Sequence, residues 1–289
     1  MTAAPSTLID DNAPGLWRPA FPFPRPEHHK YSRGVALIRG GALMTGAVRL
    51  AARAAQRAGA GLVTIAAPTS VLPVYAAAFE SVIVRPCDMP QNWQALIDDQ
   101  HAPSLLIGPG LGIGAAQRDD VLRALSAKRP TVVDADGLTS FEDKPSVLFD
   151  AFHDRCVLTP HEGEFLRLFA NMTGDRVVRA QAAAKRAGCV VVLKGAETVV
   201  ADPSGCVVVN RNAPAWLATA GAGDVLSGMI LGLIAQGMPV FLAAAAAVWM
   251  HGRCAYSYGP GLVAEDIVSE IPSVLKEILN FPLADTAGT

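Results

Sequence analysis

The feature that most limits what this chain can fold into is a recurrence. Short, continuously apolar, β-branched runs alternate with longer stretches rich in alanine and leucine. Residues 34–38, 62–65, 105–107, 131–133, 156–158 and 190–193 read as strands without a polar face. Such strands belong in a largely parallel sheet covered by helices on both sides. Helices are expected over residues 45–58, 71–79, 115–128, 162–169 and 179–187, and three more apolar helices close the chain. Thr45 is the expected cap of the first helix, with Gly59, Ala60 and Gly61 as its stop. Residues 198–201 and 206–209 flank Asp202, Pro203, Ser204 and Gly205, which is a hairpin signal. Residues 1–26 are proline-rich without periodicity and read as an irregular arm, leaving residues 27–289 as one domain.

Composition removes several classes of function. Hydrophobic residues make up 51% of the 289 and charged residues 17%, so a large core is expected. Lys and Arg number 24 against 26 Asp and Glu, which gives no basic footprint for nucleic acid or a membrane surface. The five cysteines are scattered, with no CxxC, which suggests a reduced, cytoplasmic setting without a zinc site. No basic segment leads into an apolar run at the N-terminus, so no signal peptide is expected. The apolar run over residues 240–250 is too short to span a bilayer. It fits inside the domain or against another subunit.

In sheets of this kind ligands sit beyond the carboxyl ends of the strands, and five loops there carry candidate chemistry. Residues 110–115 match GxGxxA between a strand and a helix, with Asp134 twenty-four positions after Gly110. The mid-chain position and Pro109 favour a loop lining a ligand cleft over a dinucleotide fingerprint. At the next strand end stand Asp134 and Asp136, able to hold Mg²⁺ through water or to bind hydroxyls. Asp136 reads better as a cap or a solvated group, and for Asp134 both readings stand open. His161 follows another strand in LTPHEGEF, better placed for a ligand than for the core, while Glu162 and Glu164 suit the helix dipole. The remaining histidines, His28, His29, His101, His153 and His251, read as structural or solvated.

Lys194 follows four apolar strand residues and would emerge at the cleft rim, where a cation meets phosphate. The stretch ATAGAGDVLSGMILGL then brings glycines and Asp224 to a helix start, a natural anion site. Spacing alone leaves Asp224 as either a helix cap or a general base. There is no GxxxxGK[ST].

Together HKYSRG, MTGA, IGPGLG, DADGL, LTPHEGEF, VVLKGAETVVA and ATAGAGDVLSGM resemble the ribokinase-like superfamily. More narrowly, over residues 29–272, the chain resembles the ADP/ATP-dependent NAD(P)H-hydrate dehydratase family. The resemblance implies a three-layer α/β/α sandwich around a mostly parallel sheet. It implies ADP- or ATP-dependent dehydration of the S epimer of hydrated NADH or NADPH, a nicotinamide cofactor repair. Ala47, Gly110, His161 and Asp224 would meet the hydrated cofactor. Lys194, Gly195, Ala196, Glu197, Thr198 and Gly223 would meet the adenine nucleotide. Gly221, Ala222 and Gly223 would form the anion hole, with Asp224 as the catalytic base. Mg²⁺ would bridge the nucleotide phosphates, with Asp134 as a candidate ligand. A cytoplasmic homotetramer is implied as well. Because the lead-in before His29 is short, the partner epimerase is expected to be a separate protein. The loop at residues 40–46 is shorter than the family's usual glycine-rich version, and Ala220 and Ala222 stand where many relatives carry glycine. Two other readings share the GAGD loop: a kinase for a hydroxymethylpyrimidine or hydroxyethylthiazole vitamin precursor, and a non-enzymatic nucleotide-binding module.

Overall fold

The computed structural model describes residues 9–101 and 103–281; the first eight residues of the expected arm and residues 282–289 of the expected domain lie outside them. In chain order the first half runs β1 (Ile9–Asp11), α1 (Pro14–Trp17), β2 (Val35–Arg39), α2 (Thr45–Arg57), β3 (Leu62–Ala67), α3 (Leu72–Ala76), β4 (Ile83–Pro86), α4 (Pro90–Ile97), β5 (Ser104–Ile107), α5 (Ala115–Ser126) and β6 (Thr131–Val133). The second half runs α6 (Asp136–Thr139), α7 (Pro145–Ala151), β7 (Cys156–Leu158), α8 (Glu162–Leu168), α9 (Arg176–Ala187), β8 (Val190–Leu193), β9 (Thr198–Ala201), β10 (Val207–Asn210), α10 (Ala222–Ala235), α11 (Val240–Tyr258) and α12 (Ala264–Asn280).

The strands form one ten-stranded sheet in the order β1-β10-β9-β8-β7-β6-β5-β2-β3-β4. Its pairings are parallel except those of β9 with β8 and β10, so β9 runs against the rest. Successive strand residues point to opposite faces. Ile38, Leu106, Val132 and Val192 therefore join the core under α2, α10, α11 and α12. Their neighbours Leu37, Leu105, Val133 and Val191 join the core under α4 to α9. This is the expected three-layer α/β/α sandwich. The alanine-rich run lies within α11, where Ala243, Ala244, Ala245, Ala246 and Ala247 are fully buried against the sheet's own helix layer. No helix among the described residues is long and apolar enough to cross a membrane.

Several local expectations differ from the structure. Within the arm, β1 adds a parallel strand to the sheet beside β10, and Trp17 is fully buried, its ring centroid 5.7 Å from that of Trp249. Three strand residues and one turn of helix are too short to show a period. The edge strand β4 is largely exposed and so lacks the continuous apolar signature. Thr45 does not cap α2: it is the first helical residue, Met44 holds the cap position, and no side chain bonds there. Helix α9 begins at Arg176, where the Asp175 carboxylate accepts a 2.9 Å hydrogen bond from Val178 N.

The packing of α2 on α10 matters most for the site. A Cβ on Gly228 would lie 2.2 Å from Ala51 O, and one on Gly232 would lie 2.6 Å from Ala55 O. The two helices therefore run parallel at backbone contact. Gly228→Val is expected to force the helices apart and destabilise the fold by about 1–3 kcal/mol or more. A lowered denaturant midpoint checks this, and an unchanged midpoint contradicts it.

Candidate active site

Parallel strands deliver their carboxyl ends to one edge of the sheet. There Asp134 follows β6, His161 follows β7 after Thr159 and Pro160, and Lys194 follows β8. Pairing continues past the strand ends: Lys194 N donates to Pro160 O at 2.9 Å, and His161 and Lys194 form a further parallel bridge. The N-terminus of α10 meets this row from the side.

A buried charge cluster results. Lys194 Nζ donates to Asp134 Oδ1 at 2.8 Å, with the Asp134 side chain only 1% exposed. Ser227 Oγ donates to the other oxygen, Asp134 Oδ2, at 2.5 Å. Asp134 thus has both oxygens engaged, and among the described residues no three His, Cys, Asp or Glu side chains converge to hold a metal ion. Among the described residues there is thus no ready cage for Mg²⁺.

Three carboxylates, Asp134, Glu164 and Asp224, share the one nearby ammonium of Lys194. Burial pushes Asp224 up to about 7, helped by the negative charge of Asp134 and opposed by Lys194. Burial likewise raises Glu164 above the usual carboxylate range. Burial works against the Lys194 ammonium, but the carboxylates of Asp134 and Glu164 more than offset it and hold its pKa above the ordinary value.

Asp224 is not the helix cap. Gly221 occupies that position with φ of 88°, in the left-handed region that favours glycine. Asp224 stands in the first turn, and among the described residues its carboxylate takes part in no hydrogen bond. A carboxylate with a pKa near neutrality and free lone pairs is suited to accept a proton. Asp136, read as a cap or a solvated group, instead accepts from Gly112 N at 2.8 Å and ties two loops together. His161 caps α8, its Nδ1 accepting from Gly163 N at 3.0 Å, which leaves the neutral ring's proton on Nε2.

A cavity of about 610 Å³ opens between the loop after β8 and the start of α10. Lys194, Gly195, Ala196 and Thr198 form one wall, Thr219, Ala222 and Gly223 another, and His161 reaches the rim. Of the residues expected to meet nucleotide, Glu197 is absent from this lining, because its carboxylate turns outward to Arg211 Nε at 3.0 Å. Ala47 and Gly110 also lie off this cavity. Both approach Met44 O instead: Ala47 N donates to it, and a Cβ on Gly110 would lie 2.4 Å from it. Gly223 lines the cavity, and Asp224 is next to it in sequence.

Four residues that hold the site had no assigned part in it from sequence. Arg176 donates to Leu193 O at 3.1 Å and Lys194 O at 2.9 Å, fixing the loop after β8. His251, its pKa pushed down to about 4 by burial, is neutral and donates from Nε2 to Ala222 O at 2.9 Å, steadying the anion loop. Ser227 and Glu164 complete the set. These partners of Arg176 and His251, and Asp134 as the partner of Ser227, lie 17 to 93 positions away with no local pattern to announce them. Glu164, by contrast, accepts from His161 N at 2.8 Å in a local capping box.

The sequence model of the NAD(P)H-hydrate dehydratase family matches residues 35–273. The chain is 34% identical over 265 residues to the ADP-dependent (S)-NAD(P)H-hydrate dehydratase of Neisseria meningitidis, with 88% of each covered. It is 39% identical over 285 residues to the bifunctional NAD(P)H-hydrate repair enzyme of Salinibacter ruber, covering 92% of this chain and 52% of that enzyme. The chain thus spans about half the length of the bifunctional relatives it matches. Among solved structures, the ADP/ATP-dependent NAD(P)H-hydrate dehydratase of Bacillus subtilis, co-crystallised with ATP and Mg²⁺, has a TM-score of 0.79 and 28% identity. That match covers 94% of this chain and 100% of the other.

Proposed function

Because the chain belongs to the NAD(P)H-hydrate dehydratase family, we propose that it restores NADH and NADPH from their S hydrates at the expense of ADP or ATP. The observation that carries this reading is Asp224, unbonded and raised to about 7 in the first turn of α10, next to Gly223 on the wall of a nucleotide-sized cavity. Lys194, Gly195, Ala196 and Thr198 hold the nucleotide, whose terminal phosphate meets the Lys194 ammonium and the amides of Gly221, Ala222 and Gly223. The hydrated ring lies on the side of Ala47, Gly110 and His161. Asp224 accepts the proton of the C6 hydroxyl as that oxygen attacks the terminal phosphorus and the nucleotide's bridging oxygen leaves. Phosphate then departs from C6, a proton leaves C5, and the dihydropyridine is restored. Phosphorylation matters because hydroxide is a poor leaving group and phosphate a good one. Mg²⁺ arriving with the nucleotide would supply charge neutralisation to the phosphates. The same reading includes a cytoplasmic homotetramer working beside an NAD(P)H-hydrate epimerase.

The test is incubation of NADH hydrate with Mg²⁺ and ADP or ATP. Recovery of the near-ultraviolet absorbance of NADH, with release of phosphate, is expected. A stable phosphorylated product in the mass spectrum, or no recovery with either nucleotide, overturns the reading.

The pH dependence follows from Asp224. It acts as a base only when ionised, so kcat/KM is expected to fall on the acid side with a midpoint near 7. Burial raises this midpoint most; the charges of Asp134, Asp136 and Glu164 raise it further, and Lys194 lowers it. A flat profile between pH 5 and 8 contradicts the assignment.

A further inference from the structure

We infer that Asp134 is a positioning residue, which with Ser227 as its second anchor locks the Lys194 ammonium against the anion loop, and that it is not a metal ligand. The inference rests on the proposed reading for the role of Lys194, and on the geometry for everything else. Asp134 and Lys194 come from β6 and β8, with β7 between them, so the lysine stem must cross the end of β7 to reach its partner. A side chain with four rotatable bonds adopts one such crossing only if its end is fixed. Asp134 supplies that end point, and Ser227 holds the carboxylate from the opposite side.

The arrangement also ties the cation to the loop it serves. Ser227 lies one helical turn after Gly223, and its hydroxyl also reaches Gly223 O at 3.1 Å. A Cβ on Gly223 would lie 3.4 Å from Lys194 Nζ, so the ammonium rests where the glycine leaves room. An ammonium has three N–H donors. One goes to Asp134, which leaves two for phosphate oxygens arriving in the cavity. A magnesium ion bound directly to Asp134 would have to share an oxygen already bonded to the lysine or the serine, beside the lysine's positive charge.

Two experiments test the inference. The first labels exposed amines of the folded protein at pH 8 with an acylating reagent and reads Lys194 by peptide mass spectrometry, without any turnover. Lys194 is expected to react at least about fivefold faster in Asp134→Asn, because the ammonium loses its partner and its proton more readily. Equal labelling overturns the inference. The second is a double-mutant cycle on kcat. Asp134→Asn is expected to lower kcat about 10–100-fold, with the nucleotide KM and the half-saturating Mg²⁺ concentration within threefold of wild type. In a Lys194→Met background the same substitution should change kcat less than about twofold. An equal loss in both backgrounds, or rescue by excess Mg²⁺, overturns it. If Asp134→Asn does not fold, Ser227→Ala carries both tests with the same signs and smaller effects. A wild type inactive on NADH hydrate defeats the proposed function, whereas unchanged labelling defeats this inference alone.

Discussion

Asp224→Asn is expected to lower kcat by about 10²–10⁴-fold, the range associated with loss of a general base. Asparagine keeps the size and shape of the side chain, and no hydrogen bond to the Asp224 carboxylate is present among the described residues, so the fold loses only the attraction of Lys194, which burial outweighs. It has something to gain. The folded protein holds Asp224 near 7, above its ordinary value of 3.8, so between those pH values the folded state binds more protons than the unfolded chain. Stability therefore falls as pH rises through that window, and above pH 7 the native protein carries an ionised carboxylate that it accommodates poorly. Replacing it with neutral asparagine is expected to raise Tm at pH 8 by about 2–5 °C, with the gain vanishing toward pH 4. Loss of activity together with greater stability is the mark of a group kept for chemistry. Loss of both would make Asp224 structural.

Lys194→Met should show the opposite stability. It removes the cation proposed to meet the transferring phosphoryl group, and kcat/KM is expected to fall about 10²–10³-fold. It also leaves Asp134, 1% exposed, and the buried Glu164 without their counter-charge. Removing one partner of a buried ion pair typically costs about 3–5 kcal/mol. In a chain of this size that corresponds to a Tm lower by about 10 °C. Thermal unfolding of both variants beside wild type at pH 8 checks the pair of predictions, which differ in sign. A Lys194→Met protein as stable as wild type would mean that the cluster is already largely neutral in the native state.

How far the sequence reached depends on how local each signal is. The strands of the sheet centre were legible because each is a short apolar run on both faces that ends at a polar residue or a glycine. The same rule exposed Asp134, His161 and Lys194, since a polar residue after a parallel strand emerges at the ligand edge. Strand β1 stayed hidden because its three residues gain meaning only from β10, nearly two hundred positions later. The two readings of Asp224, cap and base, share one spacing. They part only at the backbone, where Gly221 takes the cap position and Asp224 falls three residues into the helix. Asp134 illustrates the remaining limit. Its position at a strand end was plain, but its partners lie 60 and 93 residues away, and only the folded chain brings Lys194 and Ser227 to its two oxygens. Arg176 and His251 belong to the same class: they stabilise the site through backbone carbonyls, which carry no sequence signature.

The central claim is that the C6 hydroxyl oxygen leaves bonded to phosphorus. Hydrating NADH in ¹⁸O-labelled water places the label in that hydroxyl, and turnover in unlabelled water with Mg²⁺ and ADP lets its fate be read by mass spectrometry of the released phosphate. One ¹⁸O per phosphate, with one phosphate released per NADH restored, is the predicted result. Unlabelled phosphate accompanying restored NADH would contradict it, since the nucleotide would then have been hydrolysed beside a dehydration that never passed through a phosphate ester.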